Sequence, residues 1–267
     1  MRKLLKISCI GAMVLALVGC SKAKNEANEP TSTVTPTEQE NEKNDLDAQL
    51  ELEPQGDSGE NVIIVLDPGH GGGFVGANYD GLIEKDMTLT VANNIKSYLE
   101  ENYTGMEVYM TREKDSALSG DVAEDLEMRA EYAKSVDADV LVSLHFNASE
   151  DHSQQGAMVL RSHQPTVSEV SEDLGQSILK ELAELGIVNC GTRTRNSNDM
   201  FDDAGKPLDY YAINRHCAKR EIPGIIVEHC FMDNATDKTF LESNDKLKSL
   251  AKADAIGIAN YYGLAKK

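Results

Sequence analysis

Two regimes of hydrophobic patterning alternate along the chain. Short β-branched runs, Val62-Ile63-Ile64-Val65-Leu66, Val140-Leu141-Val142 and Ile225-Ile226-Val227, are separated by longer stretches whose apolar positions recur every three to four residues. The runs are bounded by Gly or Pro and predict buried strands; the longer stretches predict amphipathic helices. Leu89, Ala92, Ile95 and Leu99 keep helical spacing and predict a helix over 84–102, with Gly105 beyond its end. A strand follows at 106–111, a helix at 125–136, then strands at 139–144 and 156–162. Val167, Val170, Leu174, Ile178, Leu182 and Leu185 mark a long amphipathic helix closing at Gly186. Residues 190–206 are polar and turn-rich, and no regular element is predicted there. A short helix at 210–219 precedes the 225–227 strand, and a last helix fills 244–262. No internal repeat is present. The alternation implies an α/β fold, a single domain with a mostly parallel central sheet flanked by helices.

The first 60 residues stand outside this pattern. Arg2, Lys3 and Lys6 precede an apolar run from Ile7 to Gly19, 13 residues long. That length suits a signal-peptide core and falls short of the roughly 20 residues a bilayer span needs. Leu17-Val18-Gly19-Cys20 resembles a bacterial lipoprotein processing site, which implies cleavage before Cys20 and lipid on that cysteine. The other reading is an ordinary cleaved signal peptide with an incidental cysteine. Several acyl chains would anchor the protein to a membrane stably. Residues 21–60 contain no aromatic residue, three prolines and eleven Asp/Glu against three Lys, so they predict a disordered acidic linker. The expected organisation is a lipoprotein signal peptide at 1–20, this linker at 21–60 and a catalytic domain at 61–267.

Charge narrows the partners. The chain carries a formal −19, and once the three leader cations and the linker's net −8 are set aside, −14 remains on residues 61–267. Nucleic acid is excluded as a partner, because phosphate binding needs the opposite sign. Of five cysteines, Cys9 and Cys20 belong to the leader; Cys190, Cys217 and Cys230 form an odd set without a C-x-x-C pair. Neither a disulfide framework nor a thiolate zinc site is indicated, and buried free thiols are expected.

The candidate chemistry sits where the strands end. Three apolar runs lead into Asp67-Pro68-Gly69-His70, Ser143-Leu144-His145 and Glu228. Ligands of α/β sheets gather at the carboxyl ends of the strands, so His70, His145 and Glu228 should meet on one edge. Two separated histidines and a carboxylate suit a catalytic zinc, which takes three protein ligands and leaves a position for water. Spacing alone leaves Glu84 open between a third ligand and a first-turn acid that complements the helix dipole. Glu228, directly after Ile225-Ile226-Val227, reads as a partly buried carboxylate able to shuttle a proton, or else as half of a salt bridge to Arg129 or Arg215. His152 and His163 fall in polar loops and are expected to be solvated. His216 falls in a helix, and His229 should point to the face opposite Glu228. A Cys/His nucleophile built on Cys217 or Cys230 is disfavoured, since nothing marks an activating environment for the thiol.

These residues also carry a resemblance. Asp67-Pro68-Gly69-His70-Gly71-Gly72, Glu84-Lys85-Asp86, Thr111-Arg112, Ser143-Leu144-His145-Phe146-Asn147-Ala148 and Val227-Glu228, in this order and spacing, resemble the zinc-dependent N-acetylmuramoyl-L-alanine amidases of the Amidase_3 family. The resemblance spans residues 62–263. It implies His70, Glu84 and His145 as ligands to Zn2+ and Glu228 as the catalytic carboxylate, and so settles Glu84. It further implies peptidoglycan as substrate, cleaved between the lactyl group of N-acetylmuramic acid and L-alanine; with the leader and Cys20, the expectation is an exported enzyme tethered to the cell membrane facing the wall. His229-Cys230 departs from the small or aliphatic pair often seen after the glutamate, and 190–206 matches no family segment. A protein activator stays open. Two other functions compete: a tethered peptidoglycan-binding protein without catalysis, and a zinc peptidase acting within the stem peptide.

Overall fold

Ile64, Val65 and Leu66 of strand β1 (Val62–Pro68) are fully buried, which requires cover on both faces of the strand. The computed structural model, which describes residues 61–267, supplies that cover as two helical layers; the leader and linker expected at 1–20 and 21–60 lie outside the described residues. Ile64 and Leu66 face one apolar cluster with α1 (Glu84–Asn102), α3 (Ser168–Glu184) and α5 (Asn244–Tyr262). Val65 faces a second cluster with α2 (Val122–Ser135) and α4 (Ala212–Lys219). Period-two alternation within one continuous apolar run thus feeds both cores.

The other sheet strands are β2 (Met106–Met110), β3 (Val140–Asn147), β4 (Ala157–Arg161), β5 (Asn189–Arg193) and β6 (Gly224–Phe231), in the spatial order β2-β1-β3-β6-β4-β5. Every neighbouring pair is parallel except β6 with β4. From β1 the chain goes through α1 to β2 on one side, then through α2 to β3 on the other. Strand order reverses at β1/β3, and it is at the carboxyl ends of the strands beside such a switch point that open α/β sheets bind ligands.

The predicted helices at 84–102 and 244–262 coincide with α1 and α5. Helix α2 starts earlier than expected, because the Asp121 side chain caps it by accepting from the Ala123 and Glu124 amides. Strand β3 runs past Leu144 to Asn147, so His145 lies within the ladder rather than beyond it. Residues 190–206 contain structure that their composition hides. Asn189–Arg193 is an edge strand paired only with β4, and Asn196–Phe201 forms a small antiparallel ribbon with Pro207–Asp209. A one-sided edge strand needs no continuous apolar run.

Candidate metal centre

The loop after β1 is built to hold His70 in an unfavourable backbone conformation. His70 has φ +62°, a left-handed value uncommon outside glycine. Two buried arginines secure it. Arg129 donates from Nη2 to the His70 carbonyl at 2.7 Å and from Nη1 to the Pro68 carbonyl at 3.0 Å. Arg112 donates to the carbonyls of Pro68 and Gly69, each at 2.9 Å. Arg129 in turn pairs with Asp67 and Asp125 at 2.7 Å each, all three side chains almost fully buried. Burial by itself would raise the Asp67 pKa, but the Arg129 guanidinium and the Thr111 and Ser143 hydroxyls overcome it and hold the carboxyl below its usual range.

Glu84 is the first residue of α1 and is 4 % exposed. Its Oε2 lies 3.0 Å from His70 Nε2 and its Oε1 lies 3.0 Å from His145 Nδ1. Two backbone amides orient it: Ala77 donates to Oε2 at 2.7 Å and Phe146 to Oε1 at 3.1 Å. Against the upward pull of burial, the hydrogen bonds and charges of His145 and His70 drive the Glu84 pKa far down, so it is a carboxylate. Burial chiefly lowers the His145 pKa, which keeps a lone pair on its imidazole. One ligand atom from each of His70, Glu84 and His145 can be chosen such that all lie within 4.8 Å of one another.

Two glycines give this cluster its room. A Cβ on Gly69 would collide with Cε1 and Nε2 of His145. A Cβ on Gly76, whose φ is +71°, would collide with Glu84 Oε2 and come 2.7 Å from His70 Cδ2. Both approaches are open only to a residue without a side chain. The donor set of two imidazole nitrogens and one carboxylate oxygen is the set a catalytic zinc takes.

Glu228 stands beside the cluster. It is the register partner of His145 across β6 and β3 and is 7 % exposed. Its Oε2 is buried with no hydrogen-bond partner. Burial, then the negative charge of Glu84, raises its pKa well above the ordinary carboxyl range. The salt bridges considered from sequence do not form: Arg129 engages Asp67 and Asp125, and Arg215 donates to the carbonyls of Asp209 and Tyr210. Tyr211 lies near this carboxyl, and Arg195 lies beside Tyr211. Burial raises the Tyr211 phenol, with Glu228 adding to the effect and the Arg195 guanidinium opposing it. Arg195 lies over the Tyr210 ring at 3.6 Å.

The remaining candidates separate. His229 points to the face opposite Glu228, as strand alternation predicts, and packs on Phe146 with ring centroids 5.1 Å apart. His163 is not solvated as expected, since its side chain is half-buried against Asp209 at 2.6 Å; His152 is half-exposed but pairs with Asp233 at 2.8 Å. The free thiols of Cys217 and Cys230 are buried, and desolvation raises both pKa values, against a thiolate nucleophile. Asp67, Arg129 and Tyr211 had no signal in periodicity. Only the Asp-Pro-Gly-His and Thr-Arg motifs pointed toward the supporting network.

N-acetylmuramoyl-L-alanine amidase CwlM of Bacillus licheniformis is 30% identical over 210 residues, covering 77% of this chain and 70% of that protein. Cwp6 from Clostridium difficile superposes with a TM-score of 0.64 at 30% identity, over 76% of this chain but only 30% of Cwp6. The CwlD amidase from Clostridioides difficile, solved in complex with the GerS lipoprotein, gives a TM-score of 0.63 at 26% identity over 76% of this chain and 99% of that one. The family model described as N-acetylmuramoyl-L-alanine amidase matches residues 64–260, and the chain therefore belongs to that family, Amidase_3.

Proposed function

We propose that this amidase is zinc-dependent and hydrolyses the amide between the lactyl group of N-acetylmuramic acid and the first L-alanine of the peptidoglycan stem. The observation that carries the reading is the convergence of His70, Glu84 and His145 with Glu228 as the register neighbour of His145. His70, Glu84 and His145 would hold the metal. Bound there, zinc supplies Lewis acidity toward water and toward the scissile carbonyl.

Glu228 moves the proton. Its carboxylate takes one proton from the attacking water as the water oxygen bonds to the lactyl carbonyl carbon. When the carbon–nitrogen bond breaks, Glu228 returns that proton to the departing alanine nitrogen, leaving a lactyl carboxylic acid and a neutral amine; the acid then loses its remaining proton to solvent and becomes the carboxylate. Oε2 accepts no competing hydrogen bond, so a proton received there is not locked into the protein. The Asp67–Arg129 network keeps the His70 loop in place and is not itself consumed or titrated in the reaction.

The protein acts outside the cytoplasm in this reading, with residues 1–20 as leader, lipid on Cys20, 21–60 as tether and 61–267 as the catalytic domain. Among the described residues no helix is long and apolar enough to cross a membrane. The CwlD structure pairs an amidase with a lipoprotein. Here the lipid would be on the amidase chain itself.

Mass spectrometry of purified muropeptides incubated with the zinc-loaded protein tests the proposal. Release of intact stem peptides with a new N-terminal alanine, stopped by chelator, is expected. Cleavage inside the stem peptide would move the substrate assignment to a peptidase, and metal-independent cleavage would remove zinc from the mechanism.

A further inference from the structure

Among the described residues the His229–Asp254 pair is the most heavily buried ion-pairing contact, with both side chains at 0 % exposure. His229 Nε2 lies 2.7 Å from Asp254 Oδ2, and His229 Nδ1 lies 2.9 Å from the carbonyl oxygen of His145. A carbonyl only accepts, so Nδ1 carries a hydrogen and donates it. That leaves Nε2 and the carboxylate to share a proton. Asp254 belongs to α5, which packs on the same side of the sheet as the Phe146 ring.

Such a pair is a costly way to fill an apolar layer. Desolvating it competes with the attraction it gains, and two aliphatic side chains would fill the space at no such cost. What the pair adds is direction. The carbonyl it grips belongs to the peptide between His145 and Phe146, and the N–H of the same peptide donates to Glu84 Oε1 at 3.1 Å. A peptide unit is planar, so gripping its oxygen also fixes where its hydrogen points. The β3/β6 register shifts immediately after the Glu228↔His145 pair, so the ladder alone holds this peptide less firmly than those before it.

We propose that Asp254 and His229 are positioning residues for the metal centre: through the His145–Phe146 peptide plane they set Glu84 and His145 in the relative placement that binds zinc. The inference rests on the assignment of those two residues as ligands. Histidine ligands elsewhere are commonly oriented through hydrogen bonds from their own rings. Here the support reaches one ligand's main chain and the other's carboxylate at once.

The test compares zinc affinity, measured by competition with a chromogenic chelator, with the melting temperature of the metal-free protein. The double variant His229→Leu/Asp254→Leu removes both partners and leaves no unpaired charge. We expect a melting temperature near that of the parent, with zinc affinity about 10- to 100-fold weaker and a lower kcat at unchanged KM. His229→Gln, which keeps an N–H donor for the carbonyl, should hold affinity to less than about tenfold below the parent, short of the loss in the double variant. Parent-like affinity in the folded double variant overturns the proposal.

If that variant does not fold, the ring-preserving double variant His229→Phe/Asp254→Asn, which removes the donor to the carbonyl without leaving a charge, is set against Ile258→Ala, a buried truncation on the same helix. At matched loss of melting temperature, only His229→Phe/Asp254→Asn should weaken zinc binding. Equal affinities would reduce the pair to a structural contact. A parent protein that binds no zinc defeats the ligand assignment itself, a result visible before any variant is made.

Discussion

Glu228 and His145 sit opposite one another on neighbouring parallel strands, and the register shifts directly after them. Up to that pair β3 and β6 are locked residue for residue from Gly224↔Leu141 onward. The carboxyl proposed to carry the proton and a candidate ligand are therefore placed by a backbone ladder rather than by a loop. The pair stands at the last position where the two strands still share that register, at the carboxyl edge of the sheet. This arrangement makes Glu228 separable from metal binding.

Glu228→Gln keeps the shape of the side chain and removes its ability to take a proton. We expect kcat to fall by about 10²- to 10⁴-fold, the range typical of positioned acid–base groups. Zinc content, measured by elemental analysis after gel filtration, should equal that of the parent. A variant retaining near-normal kcat would remove Glu228 from the chemistry.

Arg129→Met removes a buried cation of similar volume and strands Asp67 and Asp125. Breaking a buried pair from one side costs about 3–5 kcal/mol. The same change withdraws the donors to the His70 and Pro68 carbonyls, so the left-handed His70 conformation loses a main support. Denaturant unfolding should show the loss of stability in the metal-free protein, and zinc affinity should fall with it.

Much of this was legible in the sequence, and the reasons for the exceptions are physical. Helices α1 and α5 could be bounded from the sequence because their apolar stripes face a continuous core and polar residues or glycine end them. The edge strand Asn189–Arg193 could not, because pairing on one side puts no demand on its composition. His70, His145 and Glu228 were marked by apolar runs that end in them. Arg129 carried no such mark, since its partner Asp67 lies 62 residues away and only the folded sheet brings them together. His229 was expected on the face away from Glu228 from alternation alone. Its partner Asp254 reads in sequence as one acidic residue of an amphipathic helix.

Acid should weaken the fold through Asp67. Its folded pKa lies below the ordinary aspartate value of about 3.9, so its contribution is fully present above that value and is lost as pH falls through the depressed folded one. The parent should therefore lose stability steeply below about pH 4. Asp67→Asn should be less stable at neutral pH and flatter across that window, as chemical unfolding at several pH values would show. Equal slopes for the two proteins would assign acid sensitivity elsewhere.

Removing the metal should silence the enzyme without unfolding it. The proposed ligands come from a strand, a helix start and a clamped loop that carry their own hydrogen bonds and core contacts. After chelation we expect no muropeptide cleavage, an unchanged far-ultraviolet circular dichroism spectrum, and recovery on adding zinc. Loss of the spectrum with the metal would mean that the centre is structural.

Gly69 and Gly73 lie four residues apart in the same loop and should respond oppositely to alanine. A Cβ on Gly73 meets nothing within 4 Å, so Gly73→Ala should be close to neutral. A Cβ on Gly69 is driven into the His145 ring and lies 2.7 Å from the Leu144 carbonyl oxygen, so something must move. The Leu144 carbonyl accepts from the Gly69 amide at 3.0 Å and cannot retreat without breaking the contact between the loop and β3. The His145 ring is the softer of the two and should swing away from Glu84. Overpacking of this kind costs about 1–3 kcal/mol, a modest loss in melting temperature. Displacing a ligand nitrogen by an ångström costs far more in function than in stability, so zinc affinity and kcat should collapse in Gly69→Ala while the protein stays folded. If Gly69→Ala bound zinc like the parent, the ring would have another way to accommodate the methyl group, and the close packing of loop on histidine would not be what shapes the site.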